Sequence, residues 1–384
     1  MKNIFVLGSN ILSPLGETTE ENFSRLYAGD SGVQFHRQAN IHDTSFWASI
    51  FSEEQVLSFS SKSSTPLNFT KFEQMLIASV TDALKNSKVD PSGNETIFIC
   101  STTKGSITEL ENSTVDKIDT HQLELFQAAK KLSAYFKNQN EPVVVSNACI
   151  SGLAAVIVAK RFLSAGLYEN AIVVGADTIS RFVYSGFYSF QALSPQQCKP
   201  FSTDREGINL GEAAATMILS IHPNKKSSEP EIRVLGGSMS NDANHISGPS
   251  RTGEELGIAI NKSIAESKLF PADIDLISAH GTATLYNDEM EAKAINFAKL
   301  ENVPVNSLKG YFGHTLGAAG LLESIISIES MKRNVVLSTA GFSKAGIEPA
   351  VNVCRETTEK EINYCLKIAS GFGGCNAAVV YSKK

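Results

Sequence analysis

Short apolar runs alternate with segments of helical length along the first half of the chain. Residues 96–100, 143–145 and 171–174 are rich in β-branched and other apolar side chains, as buried strands are. Between the second and third of these runs lie residues 151–167, a segment long enough for a helix. A strand, a helix and a second strand in this order predict a parallel crossover unit.

The predicted helix has almost no polar face. Residues 153–159 are all apolar, so every side of this helix avoids water. A helix of this kind is stable only when it is buried on all sides. The sequence therefore predicts a layered α/β architecture, in which sheets cover both faces of the helix.

A short stretch at the start of the chain recurs in its second half. Residues 4–9 read Ile-Phe-Val-Leu-Gly-Ser, and residues 232–238 read Ile-Arg-Val-Leu-Gly-Gly-Ser. The polar residues 222–230 precede the second copy and are typical of a linker. We therefore predict a duplicated fold, with one half over residues 1–230 and the other over residues 231–384.

Composition and charge exclude several classes of function. The 384 residues are 42% hydrophobic and 19% charged, which is enough apolar material for a large core. The 40 acidic residues outnumber the 34 basic ones and no long basic run offsets them, so we expect no nucleic-acid partner. No unbroken run of 18 apolar residues is present, so we expect no membrane span. The apolar run at residues 4–7 is too short for a signal-peptide core, which predicts a cytoplasmic protein.

Cysteine supplies the first candidate chemistry. Six cysteines are scattered without the close pairs of a metal site, and in a reducing compartment we expect free thiols. Cys149 lies between a predicted strand and the buried helix, where the positive end of the helix dipole favours the thiolate. The sharp turn there would expose its side chain, as in other nucleophile turns. The alternative is that Cys149 is a small buried apolar residue.

Two histidines lie in settings that suggest catalysis. His280 follows the strand-like run 274–277, at the end of a strand where parallel sheets bind ligands. His314 lies among small residues that allow a helix to begin in a crowded place. Each could instead be a structural histidine. Zinc could bind Cys149 and both histidines, but none has the short ligand spacing of a zinc site, so we expect no metal.

These segments, taken together and in order, resemble the β-ketoacyl-acyl-carrier-protein synthase family of the elongating kind. The resemblance covers nearly the whole chain, and it is specific because six motifs follow the family's order. The motifs are residues 8–16, 148–152, 199–207, 279–284, 309–314 and 371–374.

The resemblance implies a fold and a reaction. The family has the thiolase fold, an α/β arrangement of two similar halves in five α-β-α-β-α layers, and its members are usually dimers. Its reaction would place an acyl chain from a carrier protein on Cys149, with the main-chain N–H groups of Cys149 and Phe372 as the oxyanion hole. Malonyl-carrier would then lose carbon dioxide, and His280 and His314 would stabilise the enolate. The carbanion would attack the Cys149 thioester, and no cofactor is needed beyond the carrier's phosphopantetheine.

Further site residues follow from the same resemblance. Lys309 and Glu291 occupy positions that pair in the family, and the pair would orient the site rather than carry protons. Asp288 and Glu323 fall at family positions with a structural role. The pantetheine arm would contact Thr282 and Thr284. The remaining positions are His245, in a segment at the entrance, and Phe372, which would gate access to the cysteine.

The sequence also departs from the family pattern. Ser370 replaces a second phenylalanine, and Cys375 replaces a threonine or serine. Residues 101–141 look shorter and more polar than the family's helical cap, which shapes the acyl pocket and the dimer contact. Residues 101–105 resemble the compact synthases of aryl-polyene and related pigment pathways, so the pathway is either fatty-acid or polyketide synthesis, including aryl polyenes.

Two other functions remain open at this point. A thiolase would use Cys375 as a second, acid–base cysteine. A chain-length-setting partner subunit would form half of a heterodimer with a related synthase, whereas an independent enzyme would form a homodimer. An acyl carrier protein is acidic, so its docking face should be locally basic, and Lys199 and Arg205 are candidates.

Overall fold

The structure is a computed structural model that describes residues 2–384 except 39, 62–68, 86, 113–119 and 225–228. Part of the predicted linker at 222–230 and part of the predicted cap at 101–141 therefore lie outside the described residues. The strands are β1 (Phe5–Leu12), β2 (Gln34–His36), β3 (Phe46–Ser49), β4 (Thr96–Ser101), β5 (Val143–Val145), β6 (Asn170–Asp177), β7 (Leu210–Gly211), β8 (Ala213–Ser220), β9 (Ile232–Asn241), β10 (Leu276–Ser278), β11 (Val305–Asn306), β12 (Val335–Val336), β13 (Thr358–Glu359), β14 (Tyr364–Gly371) and β15 (Cys375–Lys383).

Helices connect most of these strands. They are α1 (Thr19–Tyr27), α2 (Glu53–Ser61), α3 (Lys71–Leu84), α4 (Thr108–Asn112), α5 (Leu125–Tyr135), α6 (Ser151–Ala165), α7 (Arg181–Ser189), α8 (Glu254–Glu266), α9 (Leu285–Phe297), α10 (Lys309–Phe312) and α11 (Ala319–Arg333). Short 3₁₀ turns lie at Thr120–Leu123, Pro271–Asp273 and Leu316–Ala318.

The sheets of the two halves have the same topology. One half forms the order β5-β4-β6-β8-β1 and the other the order β11-β10-β14-β15-β9. When the strands are numbered within each half, both orders read 3-2-4-5-1. The halves meet where Phe5 of β1 pairs with Arg233 of β9, which joins the two into one ten-stranded sheet. The predicted duplication is therefore confirmed, and the repeated opening sequence forms the corresponding strands β1 and β9.

Two central helices lie between the sheets. Both α6 and α11 have 15 residues, and both contact strands of both halves. A Cβ on Gly152 would lie 2.8 Å from the main-chain nitrogen of Leu321, and one on Gly320 would lie 2.9 Å from the Cβ of Leu153. Only glycine permits this approach, so the two helices cross at these positions.

The apolar composition of α6 follows from this central position. Residues Ala148–Ala165 have a mean hydropathy of 1.6 and the length of a membrane-crossing helix, but 67% of the stretch is buried inside the protein. Its residues Leu153 to Ala159 form part of the main core together with α11 and strands of both sheets. The predicted buried helix is therefore confirmed. Helix α6 is terminated by Gly166, which adopts the left-handed conformation (φ +76°).

The outer layers complete the five-layer arrangement. Helices α3 and α5 cover one sheet, and α8 and α9 lie against the other. A capping box between Thr70 and Glu73 fixes the start of α3. The predicted strands are present, although β1 extends beyond the predicted run through Gly8 to Leu12, with an irregularity at Val6/Gly8.

Candidate active site

Cys149 lies in a strained turn between β5 and α6. The preceding residue, Ala148, has a φ of +45°, which costs free energy in any residue other than glycine. Ser151 holds the turn because its hydroxyl donates to the main-chain oxygen of Ala148 (2.6 Å) and accepts from the N–H of Asn147 (2.8 Å). Cys149 itself is only 7% exposed, so the turn presents the thiol to a cavity and not to the outer surface.

The two predicted histidines converge on this thiol. The ring centroids of His280 and His314 are 5.1 Å apart, and the rings are nearly perpendicular. A ligand-type atom of each of Cys149, His280 and His314 lies within 4.8 Å of the other two. Residues 165 positions apart in sequence thus form one cluster, in which the nucleophile comes from one half and both histidines come from the other.

A buried lysine fixes the tautomer of His280. The Lys309 ammonium is 3.0 Å from the main-chain oxygen of His280 and 3.5 Å from its Nδ1. An ammonium can only donate, so Nδ1 accepts and the imidazole proton resides on Nε2. The neutral ring therefore offers an N–H donor on its other side.

His314 is held through its main chain. Its N–H donates to the oxygen of Asn209 (2.7 Å), and its oxygen accepts from the N–H of Gly211 (3.0 Å). Gly313 precedes it with a φ of +68°, and a Cβ there would lie 2.5 Å from the oxygen of Leu210. The buried Nδ1 of His314 has no hydrogen-bond partner among the described residues. The ring is thus fixed in place while one buried nitrogen stays available for a ligand.

Both imidazoles are neutral at physiological pH. Burial is the main cause that holds the pKa of His280 and of His314 well below the usual 6.5, and the positive charges of Lys309 and Lys367 act in the same direction. Neutral imidazoles can accept a proton from a thiol or donate a hydrogen bond to a developing oxyanion.

The thiol of Cys149 is protonated in the resting site, contrary to the thiolate expected from the helix terminus. Burial, with a smaller contribution from the neighbouring Cys375, raises its pKa to about 12. Lys309 and the main-chain N–H of Phe372, which hydrogen-bonds to the sulfur, oppose this effect. Burial changes the pKa of the thiol more than the helix terminus does. The thiol therefore needs a base before it can act as a nucleophile, and a neutral imidazole lies within 4.8 Å.

The predicted pairing of Lys309 with Glu291 is wrong. Lys309 pairs instead with Glu323 of α11, whose second carboxylate oxygen is 2.7 Å from the ammonium of Lys367. Glu291 accepts the main-chain N–H groups of His280 and Gly281, each at 2.6 Å. The resemblance to the family suggested Glu291, because its position pairs there with that of Lys309, whereas the partner in this structure comes from the central helix α11.

The carboxylates of α9 brace the loops around the site. Asp288 accepts the N–H of Phe201 at 2.7 Å, and burial raises its pKa to about 6. Burial likewise raises the pKa of Glu291 to about 7. These carboxylates hold main-chain segments in place and do not face the thiol.

The two candidates for a basic docking face differ in exposure. Arg205 is 6% exposed and donates to the main-chain oxygen of Ser202 at 2.9 Å, so the prediction that it faces a carrier protein is wrong. Lys199 is partly exposed and pairs with Asp204 at 2.6 Å.

A cavity of about 590 Å³ leads to the cluster. This volume is typical of a pocket for a small molecule or a prosthetic arm. Thr282 and Thr284, whose hydroxyls are 2.8 Å apart, line this cavity, and His245 lines it too. That these residues contact a pantetheine arm stays a prediction. His245 is exposed, and its Nδ1 accepts the N–H groups of Ser247 and Gly248, each at 3.2 Å.

Aromatic side chains form the other wall of the cavity. Phe372 is 36% exposed, with its ring stacked on Phe187 at 5.6 Å and edge-on to Phe190 at 5.5 Å. Gly373 and Gly374 follow with φ values of +82° and +73°, a backbone that other residues rarely adopt. The sequence analysis missed Phe187 and Phe190, although the density of aromatic residues between 182 and 190 was a signal.

Cys375 joins the two loops that flank the predicted oxyanion hole. Its thiol donates to the main-chain oxygen of Phe372 (3.3 Å) and lies 3.7 Å from that of Asn147. Across the site, Asp177 accepts the N–H of Gly317 at 2.6 Å and the hydroxyl of Thr102 at 2.7 Å. Asp177 thereby ties the loop after His314 to the first half, a connection that no sequence motif suggested.

Cysteine and two histidines are also a donor set that zinc accepts. The surroundings of this cluster oppose a dication, because the ammonium groups of Lys309 and Lys367 lie behind it and Nδ1 of His280 already faces Lys309. The arrangement suits organic chemistry on a thiol better, and the absence of a metal stays a prediction.

Family models match both halves of the chain. Residues 1–223 match the N-terminal domain of β-ketoacyl synthase and residues 232–343 match its C-terminal domain. The chain therefore belongs to the β-ketoacyl synthase family. This confirms the resemblance drawn from the motifs.

Individual relatives agree with this assignment. The chain is 28% identical to 3-oxoacyl-[acyl-carrier-protein] synthase 2 of Vibrio cholerae over 421 aligned positions, which cover 100% of this chain and 99% of the relative. It is also similar to a chain from the complex of the ketosynthase ApeO with its chain length factor ApeC from Xenorhabdus doucetiae, with 26% identity, a TM-score of 0.86 and coverage of 100% and 98%. A β-ketoacyl synthase from Burkholderia phymatum shares the fold, with 23% identity, a TM-score of 0.88 and complete coverage of both chains.

These similarities confirm the thiolase fold and the class of reaction. The protein is a β-ketoacyl synthase of fatty-acid or polyketide synthesis and hence an acyltransferase. They do not favour the alternative of a partner subunit that only sets chain length.

Proposed function

We propose that Cys149, His280 and His314 carry out a decarboxylative condensation on carrier-bound substrates. The observation that carries this proposal is the convergence of a buried thiol and two neutral imidazoles at the end of one cavity. Each of these groups has one role in each half of the reaction.

In the first half, the acyl group moves from the carrier to the enzyme. A neutral imidazole takes the proton of Cys149, and the sulfur attacks the thioester carbonyl. The N–H groups of Cys149 and Phe372 stabilise the tetrahedral oxyanion, a role supported by the hydrogen bond from Phe372 to the sulfur. The carrier's thiolate then leaves with the proton from the imidazole.

In the second half, malonyl-carrier loses carbon dioxide. The electron pair of the broken carbon–carbon bond forms an enolate, whose oxygen accepts hydrogen bonds from Nε2 of His280 and from His314. The carbanion attacks the acyl carbonyl and forms the new carbon–carbon bond, which expels the Cys149 thiolate, and the thiolate takes up a proton from water. Lys309, Glu323 and Glu291 hold His280 in position, and Asp288 holds the loop at Phe201.

The substrates arrive on the phosphopantetheine arm of an acyl carrier protein, and no other cofactor is needed. The arm would pass Thr282, Thr284 and His245, and Phe372 would move to admit it. Gly373 and Gly374 after Phe372 support such a movement because their backbone is less restricted.

We further propose that the protein acts as a dimer in the cytoplasm, either with itself or with a related ketosynthase subunit. Strand β5 supports this, because it is the last strand of its sheet and its three residues are only half-buried. The functional halves would be residues 1–230 and 231–384. Residues 101–105 favour an aryl-polyene or related pathway over housekeeping fatty-acid synthesis.

Intact-mass spectrometry tests the proposed nucleophile. The protein is incubated with a hexanoyl thioester of an acyl carrier protein, and we expect one hexanoyl adduct on Cys149, located by peptide mapping. Cys149→Ala should form no adduct yet still release carbon dioxide from malonyl-carrier, since that step needs the histidines and not the thiol. A folded wild-type protein without an adduct on Cys149 would refute the proposal.

A thiolase is the second candidate, because the thiol of Cys375 lies close to the nucleophile. Cys375→Ser keeps a donor to the oxygen of Phe372 and removes the acid–base thiol. We expect near-normal condensation with malonyl-carrier and no measurable cleavage of acetoacetyl-CoA in either form. Loss of condensation with retained folding would support the thiolase instead.

A further inference from the structure

Lys367 is a charged residue in the middle of a buried strand. It lies on β14 within the sequence Tyr-Cys-Leu-Lys-Ile-Ala and has 0% exposure. Its ammonium donates to the main-chain oxygens of Ser278 (3.2 Å) and Ala279 (2.9 Å), the two residues that lead into His280. A fully buried lysine is unusual unless a negatively charged group pairs with it.

Lys367 shares one carboxylate with Lys309. The two oxygens of Glu323 face the two ammonium groups, with Lys367 at 2.7 Å. Burial lowers the pKa of Lys367 from its usual value, and the Glu323 carboxylate opposes this shift. With both lysines protonated and Glu323 ionised, the cluster carries a surplus of one positive charge. The surplus lies directly behind the histidine pair, because Lys309 contacts His280 and Lys367 contacts the segment that ends in it.

Other ionisable groups around the cluster do not cancel this surplus. Glu291 on α9 faces the N–H groups of His280 and Gly281, and burial raises its pKa to about 7, so it is only partly charged at neutral pH. The charges that act on both histidines are Lys309 of α10 and Lys367 of β14. Glu323 of α11 pairs with both lysines, Glu291 of α9 contacts the main chain of His280, and the thiol of Cys149 lies within 4.8 Å of both rings.

We propose that Lys367 is a positioning residue for the malonyl half-reaction, which both fixes the main chain before His280 and supplies a second positive charge behind the enolate site. This rests on the proposed roles of the histidines. The charge favours neutral imidazoles, and it favours the negative charge that develops on the enolate oxygen. Protonated His280 would turn an N–H toward the Lys309 ammonium, so the donor network requires the neutral ring.

The test compares Lys367→Gln with a matched control. Glutamine keeps a donor for the carbonyls of Ser278 and Ala279 but removes the charge. Lys160→Met is the control, because Lys160 is also buried and paired, with Glu266 of α8 at 2.5 Å, but lies in the C-terminal half of α6, whereas Cys149 precedes the start of that helix. Three quantities are measured: thioester formation on Cys149, carbon dioxide release from malonyl-carrier between pH 5 and 8, and thermal unfolding.

We expect Lys367→Gln to form the hexanoyl thioester at a rate within about threefold of wild type while decarboxylation falls about tenfold, less than the loss of a direct oxyanion donor. Removal of a positive charge raises the pKa of both imidazoles, so the acid limb of the decarboxylation profile should move to higher pH, toward 6.5. Lys160→Met should lower the unfolding temperature without moving that limb.

The outcomes separate this inference from the proposed function. An unchanged acid limb and unchanged decarboxylation in a folded Lys367→Gln protein would show that Lys367 is only structural. If the wild type forms no thioester on Cys149, the proposed function fails instead. If Lys367→Gln does not fold, Lys367→Met with the same three measurements decides, because methionine fills the buried position without a charge. An acid limb at the wild-type pH would overturn the inference, and a limb moved toward 6.5 would support it.

Discussion

At the scale of single residues, two opposing influences determine the pKa of the Cys149 thiol. The start of α6 favours a thiolate, whereas burial and the neighbouring Cys375 raise the pKa to about 12. The second influence is larger because the thiol is screened from water by the aromatic wall of the cavity. A resting thiol that is activated only by a nearby imidazole is protected from unwanted reactions until a substrate arrives.

This balance predicts how Cys149 reacts with iodoacetamide. Below its pKa the thiolate fraction rises about tenfold for each pH unit, so the alkylation rate should still be rising at pH 9. Peptide mapping follows the modification, and Cys149→Ser is the control for the other cysteines. A rate that levels off below pH 8 would show that the helix terminus or a histidine governs the thiol after all.

The sequence predicted the three candidate catalytic residues but not the residues that hold them in place. Cys149, His280 and His314 lie in motifs, so their convergence could be anticipated. The partner of Lys309 could not, because Glu323 belongs to a helix whose position depends on packing between the two halves. The unusual position of Lys367, a lysine within an apolar strand, can be recognised in the sequence. Its contacts with Ser278 and Ala279 cannot, because they depend on which strands are neighbours in the sheet.

At the scale of elements, the crossing of α6 and α11 determines where Cys149 lies. The central helix α6 and the strands beside it follow from apolar patterning, since each run predicted there is found in the structure. The observed boundaries differ from the predicted ones where hydrogen bonding between strands extends a strand beyond its apolar run. Strand β1, for example, continues through Gly8 because β8 pairs with it. The close approach at Gly152 and Gly320 could not be predicted, because it depends on which two helices face each other.

Gly152→Ala tests this crossing. A Cβ at 2.8 Å from the main-chain nitrogen of Leu321 forces the helices apart, so we expect a loss of about 2–3 kcal/mol in the free energy of unfolding. Acylation of Cys149 should also slow, because the nucleophile turn moves with the helix. Denaturant unfolding and intact-mass spectrometry measure the two effects.

Gly186→Ala is the matched control for that substitution. Gly186 lies within α7, and an added Cβ would meet no atom within 4 Å. Alanine favours a helix over glycine, so stability should rise by up to about 1 kcal/mol. Equal effects of the two substitutions would contradict the close helix crossing.

At the scale of the whole molecule, exposed apolar side chains on and beside α7 support the proposed dimer. Phe182, Tyr188 and Phe190 are 60%, 57% and 53% exposed and lie within or directly after one helix, α7. Such a cluster is uncommon on a monomer and typical of an interface. Strand β5 is the last strand of its sheet, so its outer edge can also pair with another subunit.

Light scattering after size-exclusion chromatography tests the assembly. We expect the mass of two chains for the protein alone, or a stable pair with a related ketosynthase when the two are produced together. Phe182→Ser should weaken the assembly, whereas Phe270→Ser, at a position 74% exposed after α8, should not. A protein that remains monomeric and fully active would contradict the dimer.

The shared strand order has a consequence for the order of events during synthesis. The first sheet can close once β8 has left the ribosome, because its last strand in sequence, β8, pairs with its first, β1. The face of α6 that α11 covers stays uncovered until more than a hundred further residues have been translated. During that interval the nascent chain exposes the apolar side chains of α6, which makes it prone to aggregation until α11 covers them.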